Sequence, residues 1–161
     1  MTSYRKNVGV VVFRQDGKVL LCERIEDYPK RWQFPQGGID EGEDVLQAAL
    51  RELEEETSVV SVKHIYSLPY SLKYDFPNEV KSKLRERGIK NDGQEQYWCL
   101  FFFCGNDNEI NIHTCDPEFR TFEWVDLSVS PHMVVDFKRE VYETVVKEFS
   151  IKIKDYLVKK A

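Results

Sequence analysis

Three glutamates spaced to share one helix face constrain this chain more than any other feature. The stretch Gly37-Gly38-Ile39-Asp40-Glu41-Gly42-Glu43 runs on to Arg51-Glu52-Leu53-Glu54-Glu55-Glu56. A glycine loop therefore feeds a helix, and Glu52, Glu55 and Glu56 stand at i, i+3 and i+4, a spacing that puts side chains on one face. Like charges so placed repel by roughly 0.2–0.5 kcal/mol per pair in an isolated helix. A plain solvated face tolerates that cost. A hard divalent cation with oxygen ligands, Mg²⁺ above all, removes it and suits bound phosphates.

The flanking pattern fits a helix between strands. Asp44 followed by Gln47 reads as a capping box that starts the helix, and Val45, Leu46, Ala49, Leu50 and Leu53 form its apolar stripe. Residues 8–14 and 18–23 are β-rich runs around Asp16-Gly17, a hairpin signal. Val59 to Tyr66, Gln96 to Cys104 and Phe119 to Val125 read as further strands. Asn106-Asp107-Asn108 reads as a turn from which Glu109 to Ile112 returns. Between Pro69 and Gln94 the pattern weakens into a long excursion, where Pro77 opens and Gly88 closes a short helix carrying Lys81, Lys83, Arg85 and Arg87. From about Pro131 the chain reads as helical, with Val134, Val135, Phe137, Val141, Tyr142, Val145, Val146 and Phe149 at helical spacing. The expectation is one α/β domain over residues 1–161, an α/β/α sandwich with a mixed β-sheet between helical layers.

The glycine-to-glutamate segment resembles the Nudix box, G-x5-E-x7-R-E-U-x-E-E-x-G-U, through Gly37, Glu43, Arg51, Glu52, Leu53, Glu55, Glu56 and Val59. Every charged position matches. Ser58 stands where the family has a glycine that ends the helix in the left-handed conformation. The resemblance implies the same α/β/α fold and hydrolysis of a phosphoric anhydride. It spans most of the chain. Tyr4-Arg5-Lys6-Asn7-Val8-Gly9 is similar to the opening of bacterial RNA pyrophosphohydrolases, and Asp116-Pro117-Glu118-Phe119 to their T-P-E-F. Trp32-Gln33-Phe34-Pro35-Gln36-Gly37-Gly38, Tyr74-Asp75-Phe76-Pro77, Gly93-Gln94-Glu95-Gln96-Tyr97-Trp98 and Asp136-Phe137-Lys138-Arg139 are shared with the asymmetric dinucleoside tetraphosphate hydrolases of the same branch.

A polyphosphate is polyanionic, and its hydrolysis needs charge neutralisation, an oriented water and a stabilised leaving group. The resemblance makes Glu52, Glu55, Glu56 and Glu118 the metal ligands, with Gly38 contributing backbone, and Mg²⁺ the cation, for which Mn²⁺ substitutes. Glu52, Glu55, Glu118 and Arg51 are the catalytic candidates, Arg51 by orienting the helix carboxylates. Glu43 either braces the loop or joins the metal shell through water. Arg5, Arg24, Gln94, Tyr74, Phe137 and Lys138 are the substrate-binding candidates, cations for phosphate and aromatics for bases. The implied activity removes pyrophosphate from 5′-triphosphorylated RNA, leaving a monophosphate that promotes RNA decay. The alternatives are hydrolysis of dinucleoside polyphosphates, action on free nucleoside triphosphates, and a non-catalytic nucleotide sensor on the same fold.

Charge and cysteine usage narrow the setting. The net charge of −5 argues against bulk, charge-driven nucleic-acid binding, DNA included, while leaving room for local basic patches. No apolar run reaches the length of a membrane span. The cysteines at 22, 99, 104 and 115 lack metal or redox spacing, and the first three sit in strand-like apolar runs, which fits a reduced cytoplasmic setting. His64, His113 and His132 show no ligand spacing.

Overall fold

Strand β1 (Tyr4–Phe13) is the axis of the molecule, and its apolar run from Val8 onward shows why. Val8, Val10 and Val12 enter one core cluster, with Ala48, Ala49 and Leu53 of helix α1 (Val45–Thr57). Val11 and Phe13 enter the other, with Tyr142, Val145 and Phe149 of a helix described below. A strand covered on both faces has no polar-out positions, so it reads as continuous rather than alternating hydrophobicity. The structure, a computed structural model, describes residues 2–26 and 30–160.

The remaining elements are β2 (Val19–Arg24), β3 (Trp32–Gln33), β4 (Gln36–Gly38), β5 (Val62–Ser67), β6 (Leu72–Asp75), α2 (Asn78–Glu86), β7 (Gly93–Phe103), β8 (Phe119–Val125), α3 (Ser130–Met133) and α4 (Arg139–Lys160). β1 runs parallel to β7 along its whole length, from Tyr4↔Gly93 to Phe13↔Phe102. Its other edge pairs antiparallel with β4, Asn7↔Gly38 to Gly9↔Gln36, and meets β2 at Phe13↔Val19. β2 also carries β3 and β8, and β7 carries β5 and β6. The result is a mixed sheet with α1 on one face and α4 on the other. Phe34, Trp98 and Tyr142 fill the α4 side, with ring centroids 5.0–5.8 Å apart; each such fully buried side chain contributes about 1.5–3 kcal/mol. Gly9 makes room for them, because a Cβ there would come within 2.5 Å of the Trp98 ring.

Local sequence signals set several boundaries. Asp44 and Gln47 form the reciprocal capping box, at 2.8 and 3.1 Å. Gly17 takes φ +85° in the β1–β2 hairpin, and Gly88 takes φ +81° just past α2. Ser58 adopts the left-handed conformation of the family glycine (φ 67°), its N–H donating to the Glu54 carbonyl at 2.8 Å and its Oγ to the Asn111 carbonyl at 2.9 Å.

Other expectations need correction. Glu109 to Ile112 forms no strand. The Glu109 carboxylate instead accepts from the backbone N–H groups of Val60 and Ser61 at 2.6 and 2.7 Å, and Ile110 and Ile112 are buried from a loop. The C-terminal helix begins at Arg139, because Val134 and Val135 are extended and only a short 3₁₀ turn spans Asp136–Lys138. Leu46 and Leu50 are exposed, and α1 buries Ala48 instead. Cys104 is exposed beyond the end of β7, unlike Cys22 and Cys99.

Candidate active site

β4 delivers the glycine loop to the start of α1, and Arg51 ties the two together. Its guanidinium grips Glu43 with two bonds, Nε to Oε2 at 2.7 Å and Nη2 to Oε1 at 2.9 Å. Nη2 also donates to the Gly38 carbonyl at 2.8 Å. Nη1 reaches Glu52 at 2.8 Å and Glu55 at 3.3 Å. The Arg51 side chain beside it, with the Asp40 N–H, holds the Glu43 carboxyl down to about 2. The guanidinium thus supplies part of the charge that offsets the acidic face.

Glu56 lies deepest, 6% exposed. Its Oε1 accepts from the Gln36 N–H at 2.9 Å, while its Oε2 is buried without a donor. The Glu118 carboxyl, brought in just before β8, is the nearest like charge acting on it. Burial first, and Glu118 next, push the Glu56 carboxyl well above the usual range; burial raises Glu52 as well. Glu55 and Glu118 are exposed at the rim, and Glu54 points into solvent.

Gly37 and Gly38 matter here for space. Neither takes a positive φ, so close approach rather than conformational freedom requires them. A Cβ on Gly37 would collide with the Glu52 carboxylate, and one on Gly38 would come within 2.5 Å of Arg5 Nη2. Arg5 therefore lies over the glycine loop beside the acids.

The other substrate candidates form a second wall. Tyr74 donates to Gln94 Oε1, and Gln94 pairs with Arg5 in the β1–β7 register. The Tyr74 ring is 5.6 Å from Phe137 and 5.8 Å from Lys138 Nζ. Tyr74 is itself buried, so its packing role is plain. Lys138 is 4% exposed, and its ammonium donates to Gln33 Oε1 at 3.2 Å. Burial, then the charge of Arg24, lowers the Lys138 ammonium to about 7, while Glu56 opposes the shift. Arg24 pairs with Glu26 at 2.5 Å.

Sequence reasoning passed over the polar residues beneath this wall. Gln96 is fully buried in β7, and its Nε2 donates to Asn7 Oδ1 at 2.8 Å and to Gln36 Oε1 at 3.1 Å. Gln36 in turn holds Glu56 through its backbone. A glutamine inside the apolar run of β7 was the available signal.

Among the described residues, no three acidic, His or Cys side chains are drawn into a ready metal cage. The chemistry of the donor set nevertheless fits a hard divalent cation. It consists of carboxylate oxygens, one of them a buried oxygen lacking any donor. Burial and the nearby Glu118 disfavour the charged form of Glu56, a cost that a cation would remove.

Comparison with known proteins agrees with this geometry. Residues 3–145 match the family model described as the NUDIX domain. An RNA pyrophosphohydrolase of Pelagibacter ubique (strain HTCC1062) is 44% identical over 153 residues, 95% of this chain and 93% of that protein. Another RNA pyrophosphohydrolase, from Erythrobacter litoralis (strain HTCC2594), is 45% identical over 91% of this chain and 90% of its own length. The solved dihydroneopterin triphosphate pyrophosphohydrolase of E. coli shares the fold, with a TM-score of 0.69 at 22% identity over 91% of this chain and 99% of that one.

Proposed function

Because the chain belongs to the NUDIX family, we propose that it removes pyrophosphate from the 5′-triphosphate end of RNA, leaving a 5′-monophosphate. It is a hydrolase of phosphoric anhydride bonds. Family members use divalent metals, and no helix among the described residues is long and apolar enough to cross a membrane. The observation that carries the reading is the convergence of Glu52, Glu56 and Glu118 against a basic and aromatic wall, with one buried carboxylate oxygen left open.

A divalent cation, Mg²⁺ or Mn²⁺, held by Glu52, Glu55, Glu56 and Glu118 beside Gly38 would neutralise phosphoryl charge and make water more acidic. The residues themselves do the rest. Arg51 fixes the direction of Glu52 and keeps the loop against α1. Glu55 or Glu118, both exposed, would take the proton of the attacking water. Arg5 offers its guanidinium to a phosphate, and Gln94 a carboxamide. Phe137, half-buried, presents a ring to a 5′-terminal base, and Lys138 gains a counter-charge when phosphate enters its dry niche.

End-labelled triphosphate RNA, assayed beside a dinucleoside tetraphosphate with Mg²⁺, tests this. Wild type releases pyrophosphate, and Glu55→Gln and Glu56→Gln each lose about a hundredfold or more. Near wild-type turnover in both variants would defeat the assignment of these acids. A tenfold preference for the dinucleotide would make dinucleoside polyphosphates the primary substrate.

A further inference from the structure

Helix α2 buries none of its side chains, yet it is firmly anchored. The excursion that carries it leaves the sheet at Asp75 and rejoins at Gly93, which are paired across β6 and β7. Its base is closed by Phe76 N–H to the Asp92 carbonyl at 2.8 Å, and by Asp92 to the backbone of Ser3. Phe76 packs on Tyr74 and Phe137, at 5.8 and 6.2 Å between centroids. The helix therefore stands on the rim of the candidate active site, next to the residues proposed to hold the 5′ end. It contributes nothing to the core that would explain its retention there.

Its charge is out of keeping with the molecule. Between residues 78 and 90 stand five cations, Lys81, Lys83, Arg85, Arg87 and Lys90, and only two acids, Glu79 and Glu86, in a chain of net charge −5. Asp92 pairs with Arg85 at 2.9 Å and with Lys81 at 3.7 Å, which fixes the orientation of the helix. Lys83, Arg87 and Lys90 are exposed, and none has an acidic partner at ion-pair distance among the described residues. Lys83 and Arg87, four apart, lie along one side of the helix. Unpaired cations collected on an otherwise acidic surface fit a polyanion.

From this placement we infer that α2 is a docking surface for the phosphodiester backbone of RNA downstream of the 5′ end. This rests on the RNA reading of the active site. A trinucleotide is held by the end alone, whereas a longer single strand also lies along Lys83, Arg87 and Lys90. The surface carries no aromatic residue within α2, so it holds backbone without reading sequence.

Unstructured 5′-triphosphate RNAs of three and twenty nucleotides provide the test, with kcat/KM measured from 50 to 200 mM salt. Each phosphate neutralised on a single strand steepens the log–log salt slope by about 0.7, so three cations give about 2. Over that salt range this is an extra loss of about twentyfold for the longer RNA only. In the combined Lys83→Ala, Arg87→Ala, Lys90→Ala variant the two slopes converge, while turnover of the trinucleotide persists. Equal slopes for both lengths in wild type, with pyrophosphate released from each, would overturn the docking surface and leave the active-site reading standing. No release from either RNA would overturn the active-site reading itself.

Discussion

Replacing Lys138 by methionine should stabilise the protein and disable it. The ammonium sits in a niche where burial lowers its pKa from 10.5 to about 7. Above pH 10.5 the lysine is neutral in both folded and unfolded chains and contributes nothing. Between 10.5 and 7 the unfolded chain takes up the proton first, so folding loses about 1.4 kcal/mol per pH unit. Below 7 both states are charged and the penalty is constant. Worked through, the penalty is about 4 kcal/mol at pH 7 and about 2 kcal/mol at pH 9. Methionine fills similar volume without charge, but it leaves Gln33 Oε1 without its buried donor, which costs about 1–3 kcal/mol at either pH. The net gain is therefore about 1–3 kcal/mol at pH 7, shrinking by about 2 kcal/mol at pH 9. Urea unfolding of both proteins in EDTA at the two pH values measures it. Activity on triphosphate RNA should fall at least about tenfold in the same variant, since a charged Lys138 is worth its cost only when phosphate is present. A stability difference that does not change between pH 7 and 9 would refute the buried-ammonium account.

Three further outcomes follow from the geometry. Gly37→Ala forces its new methyl into the Glu52 carboxylate, so kcat should fall about a hundredfold or more with the thermal midpoint little changed; wild-type turnover would show that Glu52 need not hold its position. Glu118→Gln removes the like charge that helps to raise the Glu56 carboxyl and offers an amide donor in its place. The acid limb of the kcat/KM profile, lying above the usual carboxylate range in wild type, should then move to lower pH as total activity falls; an unmoved limb would assign it to another group. Ser58→Ala should cost about 1 kcal/mol by losing the bond to Asn111 while keeping the left-handed strain, and Ser58→Gly should recover most of it by relieving that strain. Equal losses in chemical denaturation would refute the strain argument.

What could be read from the sequence is local. The capping box at Asp44, the hairpin at Gly17 and the shared face of Glu52 and Glu56 obey rules with a reach of three or four residues, and the structure places them accordingly. The burial of Lys138 against Gln33 joins residues 105 apart in the chain, and no periodicity encodes it. The meeting of Glu56 with Glu118 likewise depends on β8 pairing with β2 in one register. Glu109 misled for a related reason. Its neighbours Ile110 and Ile112 alternate as a strand would, but its carboxylate caps two backbone amides of another segment and holds the loop without any ladder. Leu46 and Leu50 fit a helical stripe, yet α1 meets the sheet through the smaller Ala48 and Ala49, which let the helix approach closely and leave the leucines outside.

The two ends of the Arg51 guanidinium explain how an acidic helix face survives before any cation binds. One side is fixed: Nε and Nη2 hold Glu43 with two charge-assisted bonds, and Nη2 also holds the Gly38 carbonyl. The other side is looser, with Nη1 shared between Glu52 at 2.8 Å and Glu55 at 3.3 Å. A divalent charge entering among the acids competes only with that second side. Glu52 and Glu55 can turn away from Nη1 without releasing the loop, because Glu43 is not among the proposed ligands and keeps its grip. The repulsion among these acids is therefore partly met by the chain's own arginine, at the one place where its contacts can be given up. Glu56 is different. It makes no bond to Arg51, and burial together with Glu118 favours its protonated form, so a proton must leave Glu56 for a cation to enter. Metal affinity should accordingly rise with pH through the range where Glu56 ionises, even in a protein whose Arg51 contacts are intact.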